Sequence, residues 1–343
     1  MRLRRGLGRP LGLAAAAAAG LAVLLLLAGL VSYNGPGPKA KGGEVTVVVL
    51  ERGSGLGGIA RKLEDAGAVR SGGLFALAAR LTGAAGQLKA GEYEFASGAS
   101  MASVLADIRA GRVVRHLITI PEGWTSEMAA EAVNRQPVLT GLATAPPEGS
   151  ILPDTYQVQR GDDRGAVIDR MRRAHDALMA ELWSKRATDL PFDTPEEAVI
   201  LASIVEKETA VAAERPRVAA VFVNRLRQGM RLESDPTIIY GITKGRPLGR
   251  GLRASEVAGV TPYNTYRVDG LPPTPIANPG RAALEAVLNP PKTDELFFVA
   301  DGTGGHVFAT NYADHQRNVA RWRQIERERA AAAAAAGAAA PGR

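Results

Sequence analysis

The chain has 343 residues and is 46% hydrophobic, enough material for two or three modest domains besides a membrane segment. It has no cysteine, which excludes disulfides, thiolate metal sites and a cysteine nucleophile. The net charge of +7 is not gathered into a basic stripe, so no nucleic-acid partner is expected, and the four scattered histidines lack zinc-type spacing, so neither a metal nor another cofactor is.

Residues 1–10 carry four arginines, and residues 11–33 form an uncharged Leu/Ala/Val run long enough for a bilayer core of roughly 30 Å. The positive-inside rule keeps residues 1–10 in the cytoplasm and exports everything after the span. The run exceeds the apolar core of a signal peptide and no A-x-A site closes it, which favours a retained anchor. Residues 34–43 are a Gly/Pro/Lys linker. Residues 44–120 read as a small α+β module: a strand at 45–50, helices over 59–66, 73–81 and 101–109, and strands within 88–95 and 113–120.

Thr125 or Ser126 can cap a helix reaching Asn134. The Pro/Gly-rich segment 136–150 reads as an exposed loop, and 151–156 as one wall of a cleft. Helices are expected over 166–185, from Pro195 to about Glu208, over 216–228 and from Asp235. The proline-rich stretch 270–279 must be a rigid loop. Residues 296–300 and 306–308 flank a Gly-rich turn and make a hairpin, and a last helix runs from Tyr312 towards Glu328. The Ala-rich segment 329–343 is low in complexity and expected to fray.

The helix ending at Glu208 carries the clearest chemistry. Thr194, Pro195 and Glu197 form a T-P-x-E start with a capping box. Leu201, Ile204, Val205 and Glu208 then share one face at spacings of three and four, whereas Glu206 points away and is expected nearer solvent. Apolar burial raises a carboxyl's pKa, which is what an acid that must hold a proton near neutrality needs. The plain alternative is an ion pair between Glu208 and Arg215 or Arg217. The later loops bear Tyr, Asn and Asp, side chains that suit a sugar polymer. Standard glycoside hydrolysis needs two carboxylates, and Glu233 or Asp235 could be the second. With one carboxylate, a substrate such as N-acetylmuramic acid can close an anhydro ring with its own 6-hydroxyl.

Ten ordered motifs, running from Leu88-Lys-Ala-Gly-Glu-Tyr-Glu-Phe95 through Pro121-Glu-Gly-Trp124, Leu152-Pro-Asp-Thr-Tyr156, Ala202-Ser-Ile-Val-Glu-Lys-Glu-Thr209, Ser234-Asp-Pro-Thr237 and Pro262-Tyr-Asn-Thr-Tyr266 to Phe298-Val-Ala-Asp-Gly302, resemble the endolytic murein transglycosylase, YceG-like family. The resemblance implies an α+β protein with an N-terminal transmembrane helix, a LysM-like module (44–120) and a mainly helical transglycosylase domain with short β-hairpins (121–328). It implies a lyase that cuts the MurNAc–GlcNAc β-1,4 bond within nascent peptidoglycan strands and leaves 1,6-anhydro ends, terminating elongation. Glu208 is the implied catalytic residue, and Asp235, Asn264 and Tyr266 fall in the motifs that form the cleft and bind substrate. Peptidoglycan strands and the inner membrane are the implied partners, together with peptidoglycan synthases or the elongation complex. A non-catalytic peptidoglycan-binding scaffold and a hydrolytic muramidase remain the competing readings.

Overall fold

The computed structural model describes residues 8–339, with side chains from 14 to 332. These residues divide into two units. One holds the chain up to His116 together with Gln157–Gly161, and the other holds Leu117–Tyr156 and the chain from Asp162 onward.

The first unit opens with α1 (Gly8–Asn34). Its segment Ala14–Asn34 has a mean hydropathy of 2.5 and, by length and composition, is the one helix among the described residues able to cross a membrane. Then come β1 (Val45–Leu50), α2 (Leu56–Asp65), α3 (Gly72–Leu81), β2 (Gly91–Ala96) and α4 (Met101–Ala110). β1 and β2 pair antiparallel, from Val45 opposite Ala96 to Leu50 opposite Gly91. Ser71 and Ser100 cap α3 and α4 by accepting from Leu74 and Ser103 N–H groups. Gly111, at φ 74°, ends α4 in the left-handed conformation that glycine adopts without strain. The core packs Leu63, Phe75, Tyr93, Val104 and Ile108 at essentially zero exposure. The Tyr93 hydroxyl donates to Lys89 O at 2.7 Å, so this buried ring keeps its polar end satisfied.

β3 (His116–Thr119) pairs with β4 (Thr155–Val158), and the boundary between the units falls inside both strands. The second unit otherwise contains α5 (Ser126–Asn134), α6 (Arg164–Ser184), α7 (Pro195–Glu208), α8 (Arg215–Arg227), α9 (Asp235–Thr243), α10 (Ala254–Ala258) and α11 (Arg281–Leu288), then the hairpin β5 (Phe297–Ala300) and β6 (His306–Ala309), and last α12 (Tyr312–Ala339). Mixed helix and strand with small two-stranded sheets is the observed class.

α7 is the axis of this unit. Its capping box is present: Thr194 accepts from Glu197 N–H, and Glu197 accepts from Thr194 N–H. α6, α8, α9 and α11 surround it in one core, in which Leu201, Ala202, Ile204 and Val205 have no exposed surface. Ser203, also fully buried, accepts from Ile276 N–H, which ties the proline-rich loop to the helix.

Three sequence expectations are corrected here. Segment 136–150 is a loop but only partly exposed, because Val138, Leu139 and Ala143 are buried and Gly149 lies against Pro275. Glu206 does not face solvent: its side chain is only 6% exposed and accepts from Gly280 N–H at 2.9 Å. The single-stripe reading fails because α7 is packed on almost every side, so 200° of rotation from Glu208 leads into another contact and not to water. α12 continues as helix through the Ala-rich segment to Ala339, alanine having the highest helix propensity; residues 340–343 lie outside the described residues.

Candidate active site

Glu208 is the last residue of α7, and the chain leaves the helix at Thr209 in extended conformation. The carboxyl does not meet an arginine: Arg215 lies 3.7 Å from Glu206, and Arg217 pairs with Glu295. Its hydrogen-bond partner is Ser234, whose Oγ donates to Oε1 at 2.5 Å. Burial pushes the Glu208 carboxyl up to about 7, Ser234 opposes the rise, the Asp235 charge adds to it, and His306 and Arg225 pull down more weakly. A carboxyl with that affinity for protons can both give and take one near neutral pH.

Ser234 occupies the N-cap position of α9, yet its side chain makes no capping bond. Its hydroxyl is turned to Glu208, at the cost of about 1 kcal/mol of helix capping. Its backbone is locked instead. Ser234 N–H donates to Thr265 Oγ1 at 2.9 Å, Thr237 Oγ1 donates to Ser234 O at 2.6 Å, and the Thr237 and Thr265 hydroxyls lie 2.9 Å apart. These groups are buried, so the S-D-P-T and P-Y-N-T-Y motifs form one unit around Ser234. Glu233, just before it, sits at φ 53° in the left-handed region, rare for a side chain of its kind. Arg225 holds that turn through Leu232 O and Glu233 Oε2 at 3.0 and 3.1 Å.

The structure gathers Asp235 and Tyr266 beside Glu208. The Tyr266 hydroxyl donates to Asp235 Oδ1 at 2.8 Å, and burial first, then the Asp235 and Glu208 charges, raise the Tyr266 hydroxyl above its ordinary range. Asp235 itself is exposed. Asn264 stands differently. It is fully buried, its amide donates to the Glu256, Val257 and Gly259 carbonyls, and its oxygen accepts from Tyr266 N–H. Its polar atoms brace the loop that presents Tyr266. His306, at the start of β6, is held by Glu214, which accepts from its backbone N–H at 2.9 Å and meets its Nδ1 at 2.8 Å. Among the described residues no group of three or more His, Cys, Asp or Glu is arranged to hold a metal ion.

A model of the YceG-like family matches residues 48–321. The chain belongs to the YceG-like family. Curated proteins similar to it include the endolytic murein transglycosylase of Streptococcus pneumoniae serotype 2 strain D39, 31% identical over 326 residues covering 80% of this chain and 58% of that protein. The endolytic murein transglycosylase of Bacillus subtilis strain 168 is 32% identical over 191 residues, covering 54% of this chain and 50% of that one. The YceG-like chain therefore spans little more than half the length of these relatives. A crystal structure of a putative YceG-like protein from Listeria monocytogenes aligns with a TM-score of 0.51 at 26% identity, covering 80% of this chain and 98% of that one.

Of the residues expected from the sequence, Glu208, Asp235 and Tyr266 lie together here and Asn264 lies behind Tyr266, whereas Ser234, Thr237, Thr265 and His306 are not among those expected. Ser234 carried a usable signal: a Ser-Asp-Pro start offers two candidate caps, and only one is needed.

Proposed function

We propose that this chain is a peptidoglycan lytic transglycosylase, a carbon–oxygen lyase that cuts the MurNAc–GlcNAc β-1,4 bond inside nascent glycan strands. The observation that carries the reading is the Glu208 carboxyl, half-buried at the end of α7, bonded to Ser234 and raised to about 7 by loss of solvent. The names of the similar curated proteins support the same reaction class.

In this mechanism protonated Glu208 gives its proton to the glycosidic oxygen as the bond from that oxygen to the muramyl C1 breaks. The muramyl 6-hydroxyl then attacks C1, and its proton returns to Glu208, which restores the acid and leaves a 1,6-anhydro end. The leaving strand departs as a free GlcNAc 4-hydroxyl, and no water is consumed. Ser234 holds the carboxyl in one rotamer throughout. Asp235 and Tyr266 contact the sugar from the exposed side, and Asn264 keeps Tyr266 in place. The apolar segment Ala14–Asn34 of α1 anchors the enzyme in the inner membrane with the chain beyond it in the periplasm, within reach of peptidoglycan synthases or the elongation complex. The β1–α2–α3–β2 order with antiparallel pairing supports a LysM-like module, and residues 44–120 and 121–328 are the proposed module and catalytic domain.

The test is mass spectrometry of glycan ends after digestion by the wild type and by Glu208→Gln. Anhydro-muramyl ends from the wild type and none from the variant are expected. Reducing ends would mean a muramidase, and undiminished cleavage by the variant would remove Glu208 from the chemistry. No cleavage by the wild type would leave a glycan-binding scaffold.

A further inference from the structure

Helix α3 in the first unit carries an apolar stripe that none of the described residues covers. Leu74, Leu77 and Leu81 recur at spacings of three and four, on one side of the helix, and are 42%, 50% and 79% exposed. The opposite side, with Phe75 and Ala79, is fully buried in the core. A ten-residue helix that buries Phe75 and Ala79 on one side and carries three leucines on the other is not built to face water there.

The stripe has a specific neighbour. Leu74, Leu77 and Leu81 form one wall of a groove of about 420 Å³ whose other wall is Leu25, Leu26 and Leu30 of α1. Those α1 residues lie inside the apolar segment Ala14–Asn34. At 1.5 Å per residue, Leu25 and Leu30 sit about 12 and about 5 Å before Tyr33 along the helix. With α1 spanning a core of roughly 30 Å, the level of these leucines is inside the hydrocarbon and not above it. Whatever packs beside them shares that depth. Arginines stand at both ends of the stripe. Arg70 donates to Pro36 O at 3.3 Å, two residues beyond α1, and the exposed Arg80 lies in the last turn of α3. Long basic side chains so placed can reach lipid phosphates while their stems lie along acyl chains.

We propose that α3 is a membrane-interface helix: its Leu74–Leu77–Leu81 face lies in the leaflet from which α1 emerges, and lipid acyl chains fill the groove between the two helices. The inference rests on the reading of α1 as a membrane span. The first unit is then seated in the bilayer surface by a second contact, so it is not free to swing on the linker that follows α1. Insertion to a depth of about 5–10 Å is usual for amphipathic interface helices, which matches the level set by Leu25 to Leu30.

The absence of native cysteine permits a direct test on the full chain. Leu77→Cys, Leu25→Cys and Val47→Cys are each labelled with an environment-sensitive fluorophore. Each is reconstituted into vesicles of zwitterionic and anionic phospholipid carrying spin-labelled lipids, with the quencher near the headgroup or deep in the chain. Val47, on the exposed side of β1, reports the aqueous face of the same unit, and Leu25 reports the span. The expected result is severalfold stronger quenching at position 77 than at 47, greatest with the shallow quencher, and quenching of position 25 by the deep one. A position-77 probe as wet and unquenched as that at 47, with position 25 quenched, overturns the inference and leaves the anchor. A position-77 probe that is dry but unquenched by lipid overturns it in favour of a protein partner or a second copy. An unquenched position 25 removes the anchor itself and the inference with it.

Discussion

Ser234 Oγ and Glu208 Oε1 meet at 2.5 Å, one at the start of α9 and the other at the end of α7. The contact joins residues 26 apart in sequence and fixes the carboxyl that the proposed chemistry needs. Donation to the carboxylate favours its ionised form, against the burial that pushes it up to about 7. Ser234→Ala should therefore raise the Glu208 pKa further. A general acid loses activity as pH climbs past its pKa, so the alkaline limb of the pH–rate profile should move to higher pH. The plateau rate should fall about tenfold, the worth of one charge-assisted hydrogen bond of about 1.5 kcal/mol. Glycan-strand cleavage followed from pH 5 to 9 checks both. An unmoved limb would mean that the hydroxyl does not act on Glu208.

Asp235→Asn should move the same limb the other way. After burial, the negative charge of Asp235 is what raises Glu208, and neutralising it removes a like charge from beside the carboxyl. The Glu208 pKa should fall, and the alkaline limb should shift to lower pH. The opposite signs of the two variants separate an electrostatic effect on Glu208 from general damage, which would depress both profiles without moving them apart. Tyr266→Phe, which removes the donor to Asp235 Oδ1, serves as the third profile in the set.

The same carboxyl should mark the stability of the fold. Its pKa is raised above the ordinary 4.5, so the stabilising contribution belongs to the protonated form. That contribution is complete below pH 4.5 and is lost as pH rises to about 7, amounting to at most about 3 kcal/mol. Glu208→Gln cannot ionise. Its melting temperature relative to wild type should therefore rise between pH 5 and pH 8. Glu206 is also raised, by burial first, but it is common to both proteins and cancels in the comparison. Parallel melting curves across that range would show that Glu208 is not ionising in a buried site.

Much of this was legible in the chain because local rules governed it. The Thr194–Glu197 capping box, the Thr125 cap and the β5–β6 hairpin follow from short-range spacing, and all three are present. Glu208 was legible because three- and four-residue spacing placed it with Leu201 and Ile204. Glu206 was not, because periodicity along one helix does not count the neighbours that surround it; Gly280 and Arg215 close the side of α7 that Glu206 faces. Ser234 and Asn264 show the same limit. Each uses its polar group on partners chosen by the fold, Glu208 in one case and three backbone carbonyls in the other. A motif names the residue but not the direction of its side chain.

In the first unit, Glu92 brings an arginine and a histidine to one nearly buried carboxylate. Arg160 donates to its two oxygens at 3.0 and 3.3 Å, and His116 Nε2 lies 2.8 Å from Oε2. The Arg160 hydrogen bonds hold the Glu92 carboxyl below its ordinary range despite its burial. The contribution is therefore present above pH 4.5 and lost as pH falls through the lowered value. Glu92→Gln should destabilise this unit by about 1–3 kcal/mol at pH 7, and by less in acid. Urea unfolding at pH 7 and pH 4 measures the difference. A variant that unfolds like wild type at both would show that the cluster is too well solvated to matter.

Asn278 should be among the least replaceable residues of the second unit. It is fully buried, and its amide donates to Trp124 O at 3.0 Å and to Glu148 Oε1 at 3.3 Å. Its oxygen accepts from Ile151 N–H at 3.2 Å, while Trp124 O also accepts from Asn278 N–H and Asn278 O accepts from Gly123 N–H. One side chain thus ties the Pro121–Trp124 motif, the loop at Glu148–Ile151 and the segment that leads into α11. Glu148 draws on it, since burial raises that carboxyl and the Asn278 amide adds to its bonds from Ser126, Tyr240 and the Gly149 backbone. Asn278→Ala strands the Ile151 N–H and takes one donor from Glu148; a buried polar group left without a partner costs about 1–3 kcal/mol. The expected loss is about 2–4 kcal/mol, since two such groups are affected. Asn278→Asp keeps the oxygen that serves Ile151 but sets a second carboxyl against Glu148, so it should be milder at pH 5 than at pH 8. Thermal melts of both variants at the two pH values check this, and an alanine variant as stable as wild type would mean that water replaces the amide at no cost.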